Sequence, residues 1–274
     1  MSIQFIQLSD THIREPGKLA YRKLDTAPYL QRAVSSIMAL PQKPKAVVMT
    51  GDLTDFGRIQ EYEHLARLIE PLDMPVYLMP GNHDDRDNLR VVFSDHSYLG
   101  QSGYVQYEMP IGKLILLALD TTMPGESSGA LCAERLNWLA EKLDVYRDQP
   151  VVIAMHHPPF QTMIGHMDRI GLHSGQAELR AMLTGYSNIE RVICGHLHRA
   201  IDVRFAGTIA STTPSPAHQV NLDLSDNGPS AWTLEPPAFR VFAWHADQGV
   251  VTHLAYVGPH DGPYPFHENG QLID

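Results

Sequence analysis

The chain has 274 residues, 43% hydrophobic and 19% charged, enough apolar material for a large core and no signature of disorder. Lys and Arg number 21 against 31 Asp and Glu, a formal charge of −10, which gives no general attraction to nucleic acid or an anionic membrane. Two cysteines, Cys132 and Cys194, cannot build a disulfide framework. No segment approaches the ~20 apolar residues of a membrane span. The opening Met1-Ser2-Ile3-Gln4-Phe5 enters a strand pattern without the charged start of a signal peptide, so a cytoplasmic protein is expected.

Residues 3–8, 46–49, 76–79, 114–119, 151–155 and 192–194 are short aliphatic runs that read as strands buried on both faces. Between them, residues 25–40, 60–72, 131–146 and 176–186 read as helices. In the third of these, Leu136, Leu139, Leu143 and Tyr146 recur at helical intervals. The alternation argues for α/β layers. Beyond residue 200, strands are expected at 203–210, 218–224, 239–246 and 250–257, the last two joined as a hairpin by Asp247-Gln248-Gly249. That β-rich end predicts a second sheet packed on the first. Residues 225–237 and the tail from Gly258 read as irregular. With no repeat and no convincing linker, residues 1–274 read as one domain with a β-rich part from roughly residue 200.

Histidine is the loud feature: there are 15, and six fall in four short clusters. The strand-like runs end in Ser9-Asp10-Thr11-His12, Thr50-Gly51-Asp52, Pro80-Gly81-Asn82-His83-Asp84, His156-His157-Pro158 and Gly195-His196-Leu197-His198. In open α/β sheets, ligands bind at the carboxyl ends of strands. Singly, each cluster reads as a turn, a cap or a hydrogen-bonded histidine. Jointly, that bland account needs five independent coincidences.

The physical reading is a site for two metal ions. Asp10 and His12 sit at alternate positions of a segment read as extended, and so do His196 and His198; each pair would point to one side. Asp52 has two carboxylate oxygens and can bridge two ions, and Asn82 offers a neutral amide oxygen. Mixed nitrogen and oxygen donors without cysteine favour Mn, Fe or Zn. Two ions ~3.5–4 Å apart clamp the attacking and leaving oxygens of a phosphoryl displacement, and they supply positive charge that the acidic chain lacks.

Asp10-x-His12, Gly51-Asp52, Gly81-Asn82-His83-Asp84, His156 and Gly195-His196-x-His198 together resemble, in order, the motif set of the calcineurin-like metallophosphoesterases. The wordings Gly51-Asp52-Leu53-Thr54 and Met155-His156-His157-Pro158-Pro159 are similar to those of bacterial class III cyclic nucleotide phosphodiesterases and the related glycerophosphodiesterases. The resemblance implies a four-layer α/β/β/α sandwich of two mixed sheets with a dinuclear metal site at one edge. It implies one metal on Asp10, His12, Asp52 and His198, and the other on Asp52, Asn82, His156 and His196. A hydroxide between the ions then attacks phosphorus in line. His83 is implied as the residue that meets the phosphate or leaving group. His157 is either substrate-facing or packed behind the metal ligands, and His218 is a further candidate for substrate binding. Where protein phosphatases of the superfamily carry Asp-Arg-Gly, this chain has Asp55-Phe56-Gly57, so a phosphate-gripping arginine is missing.

The expected activity is hydrolysis of small phosphodiesters, 3′,5′-cyclic nucleotides ahead of glycerophosphodiesters. The expected partner is a small-molecule substrate, with no nucleic acid and no membrane, and a homo-oligomer is left open. Two other readings were weighed. A non-catalytic metal-binding scaffold is opposed by the filled ligand positions, and a nuclease by the lack of a basic stripe. Substrate choice is expected to lie in residues 14–24, 121–130 and 162–174 and around His218, segments that carry Tyr21, Arg22, Arg169 and His173.

Overall fold

The computed structural model describes residues 2–225 and 227–273. The first half contains β1 (Ile3–Leu8), α1 (Ala27–Met38), β2 (Val47–Thr50), α2 (Ile59–Ile69), β3 (Val76–Met79), α3 (Arg86–Val92), β4 (Tyr107–Ile111) and β5 (Leu114–Leu119). There follow β6 (Gly129–Ala130), α4 (Ala133–Val145), β7 (Val151–Met155), α5 (Gly165–Asp168), β8 (Leu172–Ser174), α6 (Gln176–Leu183) and β9 (Ile189–Cys194). The remainder is strand: β10 (Ile201–Phe205), β11 (Thr208–Thr212), β12 (Gln219–Val220), β13 (Trp232–Thr233), β14 (Ala238–His245), β15 (Gly249–Tyr256), β16 (His267–Glu268) and β17 (Gln271–Leu272).

Two mixed sheets carry the fold. One has the order β15-β14-β1-β2-β3, with β1, β2 and β3 parallel and β14 and β15 antiparallel. The other has the order β10-β11-β9-β7-β5-β4, parallel from β11 through β5 and antiparallel at both edges.

Strand β5 shows why layers form. Leu114, Leu116 and Ala118 join the core between the sheets, with Val152 and Ala154 of β7. Ile115, Leu117 and Leu119 turn the other way, against Leu136, Leu139 and Leu143 of α4 and Leu179 and Leu183 of α6. Each fully buried leucine contributes about 1.5–3 kcal/mol relative to exposure, so the apolar stripe on α4 fastens that helix to its sheet. Leu30, Val34 and Ile37 of α1 and Tyr62, Leu65 and Leu68 of α2 cover the first sheet in the same way. The order is helix, sheet, sheet, helix.

The C-terminal strands correct one expectation. They form no major sheet of their own. β14 lies beside β1, with Phe242 opposite Phe5 and their rings stacked at 4.8 Å, while β10 and β11 extend the second sheet. Residues 203–210, read as one strand, are a hairpin, because Ala206 and Gly207 take φ of 47° and 87°. Of residues 218–224, Gln219 and Val220 form a strand, paired with Trp232 and Thr233 of a stretch read as loop. Strand β4 escaped notice because Glu108 and Pro110 break its apolar pattern. Among the described residues no helix is long and apolar enough to cross a membrane.

Candidate active site

Five loops leaving the carboxyl ends of β1, β2, β3, β7 and β9 converge at one edge of the two sheets. The loops after β1 and β2 travel together. Asp10 N–H donates to the Gly51 carbonyl at 3.0 Å, His12 N–H to the Asp52 carbonyl at 3.0 Å, and Ile13 N–H to the Leu53 carbonyl at 3.1 Å.

These loops are strained. Asp10, His12, Asp52, His196 and His198 have φ of 56°, 44°, 48°, 71° and 49°, in the left-handed region where a side chain costs about 1–3 kcal/mol. Asp10 and His12 therefore meet through alternate left-handed turns, and so do His196 and His198, not through the extended alternation expected. Two glycines permit the crowding. A Cβ on Gly81 would collide with the Asp52 carboxylate, and one on Gly195 with the Ser9 hydroxyl.

Three imidazoles are anchored through Nδ1. His156 Nδ1–H donates to the Thr50 carbonyl at 2.8 Å, His198 Nδ1–H to the His218 carbonyl at 3.0 Å, and His12 Nδ1–H to Asp55 Oδ1 at 3.2 Å. Such bonds fix the tautomer and leave Nε2 as the free lone pair. The Nε2 atoms point inward. His12 Nε2 lies 3.2 Å from His198 Nε2 and 3.6 Å from Asp52 Oδ2. His198 Nε2 lies 3.5 Å from Asp10 Oδ1. His156 Nε2 lies 3.4 Å from Asp52 Oδ1 and 3.2 Å from Asn82 Oδ1. Asp52 thus turns one oxygen to His12 and the other to His156.

This donor set fits cations. The donor atoms of Asp10, His12, Asp52 and His198 all lie within 4.8 Å of one another, and so do those of His156, His157 and His196. His196 Nε2 is buried without a hydrogen-bond partner, an arrangement that costs free energy unless something accepts its lone pair.

The calcineurin-like phosphoesterase family matches residues 3–200 of the chain. The chain is 37% identical over 270 residues to the probable glycerophosphodiester phosphodiesterase GpdQ of Arcobacter nitrofigilis, covering 98% of this chain and 99% of that one. It is 31% identical over 274 residues to the probable cyclic nucleotide phosphodiesterase RPA0124 of Rhodopseudomonas palustris, covering 98% of each. The chain belongs to the calcineurin-like phosphoesterases. A dimetal phosphatase from Danio rerio shares the fold, with a TM-score of 0.64 over 93% of this chain and 99% of that one at 16% identity.

The sequence resemblance and the sandwich expected from it therefore hold. The calcineurin-like phosphoesterase is a dinuclear metal-dependent phosphodiesterase, and the cluster built from its strand ends is suited to two divalent ions. Burial pushes the imidazoles of this phosphoesterase toward neutrality, and neighbouring carboxylates oppose it with different outcomes. His156 is buried but beside Asp52 and is raised to about 9. His198, also buried, falls to about 4 because Asp10 only partly offsets burial. Burial opposes ionisation of Asp52, yet the charges of His156, His83 and His12 hold its carboxyl well below the usual range.

His83 is half-buried, and its Nδ1 lies 2.9 Å from the Asp55 carbonyl, while its backbone N–H donates to Asp52 Oδ1 at 2.9 Å. His157 is buried, with Nδ1 at 2.8 Å from the Thr121 hydroxyl and Nε2 at 3.2 Å from the Ser127 carbonyl. Both of its nitrogens are thus engaged by protein, which leaves none to meet a substrate. The His218 ring meets His12 at a tilt and His198 edge-on, and its Nε2 accepts from the Tyr21 hydroxyl at 3.2 Å.

Two carboxylates outside the expected ligand set, Asp55 and Asp84, stand in motifs quoted above but had no role read for them. Asp55 braces His12 and pairs with Arg14 at 3.3 Å. Asp84 accepts from Leu53 N–H, Thr54 N–H, Gly81 N–H and the Thr54 and Tyr62 hydroxyls, tying the loops after β2 and β3 together.

A cavity of about 360 Å³ opens over the cluster, with His12, Asp52, Asn82, His196 and His198 among its lining and Tyr21, Met167 and Trp232 on its walls. No lysine or arginine lines it. Of the loop residues expected to face substrate, Tyr21 does so, while Arg22, Arg169 and His173 do not line it. A second cavity, of about 560 Å³, reaches Asn82 from the side of Arg86, Tyr104 and Glu134.

Proposed function

We propose that the enzyme hydrolyses small phosphodiesters, 3′,5′-cyclic nucleotides foremost, with one ion held by Asp10, His12, Asp52 and His198 and the other by Asp52, Asn82, His156 and His196. The observation that carries this reading is the cavity of about 360 Å³ open over the donor cluster, lined by no lysine or arginine among the described residues. Such a cavity suits one compact alcohol group and offers nothing to the backbone of a polymer.

Two divalent ions in the donor set supply Lewis acidity toward the phosphoryl oxygens and bring the pKa of water toward neutrality. The protein does the rest. His12, His156 and His198 arrive with Nε2 already aimed, because their Nδ1–H groups are committed to Asp55, Thr50 and His218. His83 lines the cavity, and its Nδ1–H is committed to the Asp55 carbonyl, so Nε2 faces substrate; only as an imidazolium, protonated on both nitrogens, would it pass its Nε2 proton to the departing alkoxide and return to the neutral ring. His157 is assigned to packing behind His156 and His196, and His218 to the substrate wall.

A second reading, an acyclic glycerophosphodiester as substrate, draws on the second cavity. Two cavities meeting at Asn82 offer one space for each substituent of an acyclic diester. The relative from Arcobacter nitrofigilis, named for that activity, points the same way. Comparing kcat/KM for cyclic AMP and glycerophosphoethanolamine on one metal-loaded preparation separates the two. The first reading expects cyclic AMP ahead. A tenfold preference for the glycerol diester, about 1.4 kcal/mol of differential transition-state binding, would replace it with the second.

A further inference from the structure

Four aromatic rings lead in a row from the metal-ligand cluster to solvent. His12 and His218 have centroids 5.3 Å apart, His218 and Tyr21 5.1 Å, and Tyr21 and Trp232 5.5 Å. The last pair stands on a boundary. Both rings line the cavity over the cluster, and both line an outer groove of about 660 Å³ on its far side. Lys23 lines only the outer groove, with Nζ 5.7 Å from the Trp232 ring centroid.

Nothing in the fold requires a bulky ring at either position. Tyr21 is 46% exposed, yet its backbone is held at φ 51°, a conformation that penalises a side chain. Its hydroxyl is tied to His218 Nε2 at 3.2 Å, which keeps the ring at the cavity rim. Trp232 is half-buried on the two-residue strand β13, beside Val220 across the ribbon, and joins neither major sheet. Strain and exposed aromatic area placed at a cavity mouth, away from the core, indicate a surface built to be covered by something planar.

We propose that the Tyr21–Trp232 pair is the platform that receives the planar group of the substrate, and that Trp232 sets the preference for diesters bearing a nucleobase over aliphatic ones. The inference rests on the reading of the protein as a hydrolase of small diesters and names the substituent that its cavity selects. A base stacked on an aromatic ring needs no hydrogen-bond readout, so adenine and guanine would be accepted alike. Away from the donor cluster the cavity is lined by no Asp, Glu, Lys or Arg among the described residues, which matches a neutral nucleoside better than a choline or ethanolamine head.

The test compares the metal-loaded wild type with Trp232→Ala and Trp232→Phe. Loss of a stacking partner is worth about tenfold per base. Trp232→Ala should lower kcat/KM for cyclic AMP about tenfold more than for glycerophosphoethanolamine, mainly through KM, and Trp232→Phe should restore most of it. Binding gives a readout that needs no turnover. AMP should quench tryptophan fluorescence of the wild type saturably, glycerol 3-phosphate should not, and the AMP signal should vanish in Trp232→Phe. Equal losses on both substrates, or an AMP quench that survives in Trp232→Phe, would overturn the platform. If the wild type fails to cleave cyclic AMP but shows the Trp232-dependent quench, the cyclic-nucleotide reading falls and the platform stands.

Discussion

Nε2 of His12 stands 3.2 Å from Nε2 of His198, and each ring has already committed its Nδ1–H, to Asp55 and to the His218 carbonyl respectively. Two neutral imidazoles so arranged would direct lone pairs at each other. A cation between them, proton or metal, turns that repulsion into attraction. The pair is therefore held by bonds on its outer side for a purpose on its inner side, and the strained φ of both residues shows the backbone contributing to the same end.

Asp55 is the carboxylate that aims His12. Carboxylates that orient a metal-bound histidine typically carry a 10–100-fold share of metal affinity. Asp55→Asn should therefore weaken binding of one of the two ions by about that factor and leave the other unchanged, as read from a competitive chelator titration. Two unchanged binding isotherms would reduce Asp55 to a brace for Arg14.

His83 is expected to act on substrate and not on metal. His83→Ala should retain its metal content by elemental analysis and lose about 10²–10⁴-fold in rate. The loss should be greatest for diesters with alkoxide leaving groups. If nitrophenolate and alkoxide substrates suffer alike, His83 positions the phosphate; if metal is lost, it is a ligand.

The two cysteines should separate by pH. Burial disfavours the Cys132 thiolate, but the backbone and guanidinium N–H groups of Arg135 and the Tyr104 hydroxyl prevail, bringing the thiol down to about 7 at the start of α4. Its alkylation by iodoacetamide should thus be half-maximal near pH 7, against about 8.5 for a free cysteine. Cys194 is fully buried, and burial pushes its thiol up, so it should stay unmodified in the folded protein. Mass spectrometry of the alkylated peptides reads both; equal labelling would contradict the assignment.

The metal-type clusters were legible because each follows an aliphatic run, and a strand end is a position that sequence alone defines. The partners of those clusters were not. Asp55 reaches His12 across 43 residues and Asp84 reaches Thr54 across 30, so neither bond leaves a local trace. The union of β14 with β1, near opposite ends of the chain, depends on a register such as Phe5 against Phe242 that no periodicity reveals. Trp232 was hidden for another reason. Gly228-Pro229 before it and Pro236-Pro237 after it read as loop, and a two-residue strand is too short to show alternation. The left-handed backbone at Asp10 and His12 was likewise invisible, since Asp and His enter that region more readily than most side chains but still only in a small minority of cases.

Asp52 is proposed to serve both ions, its Oδ1 standing beside His156 and its Oδ2 beside His12. Elemental analysis of Asp52→Ala after reconstitution with excess Mn²⁺ and desalting tests it most directly. Fewer than two equivalents of metal per chain and no measurable phosphodiesterase activity are expected. Two retained equivalents would contradict it.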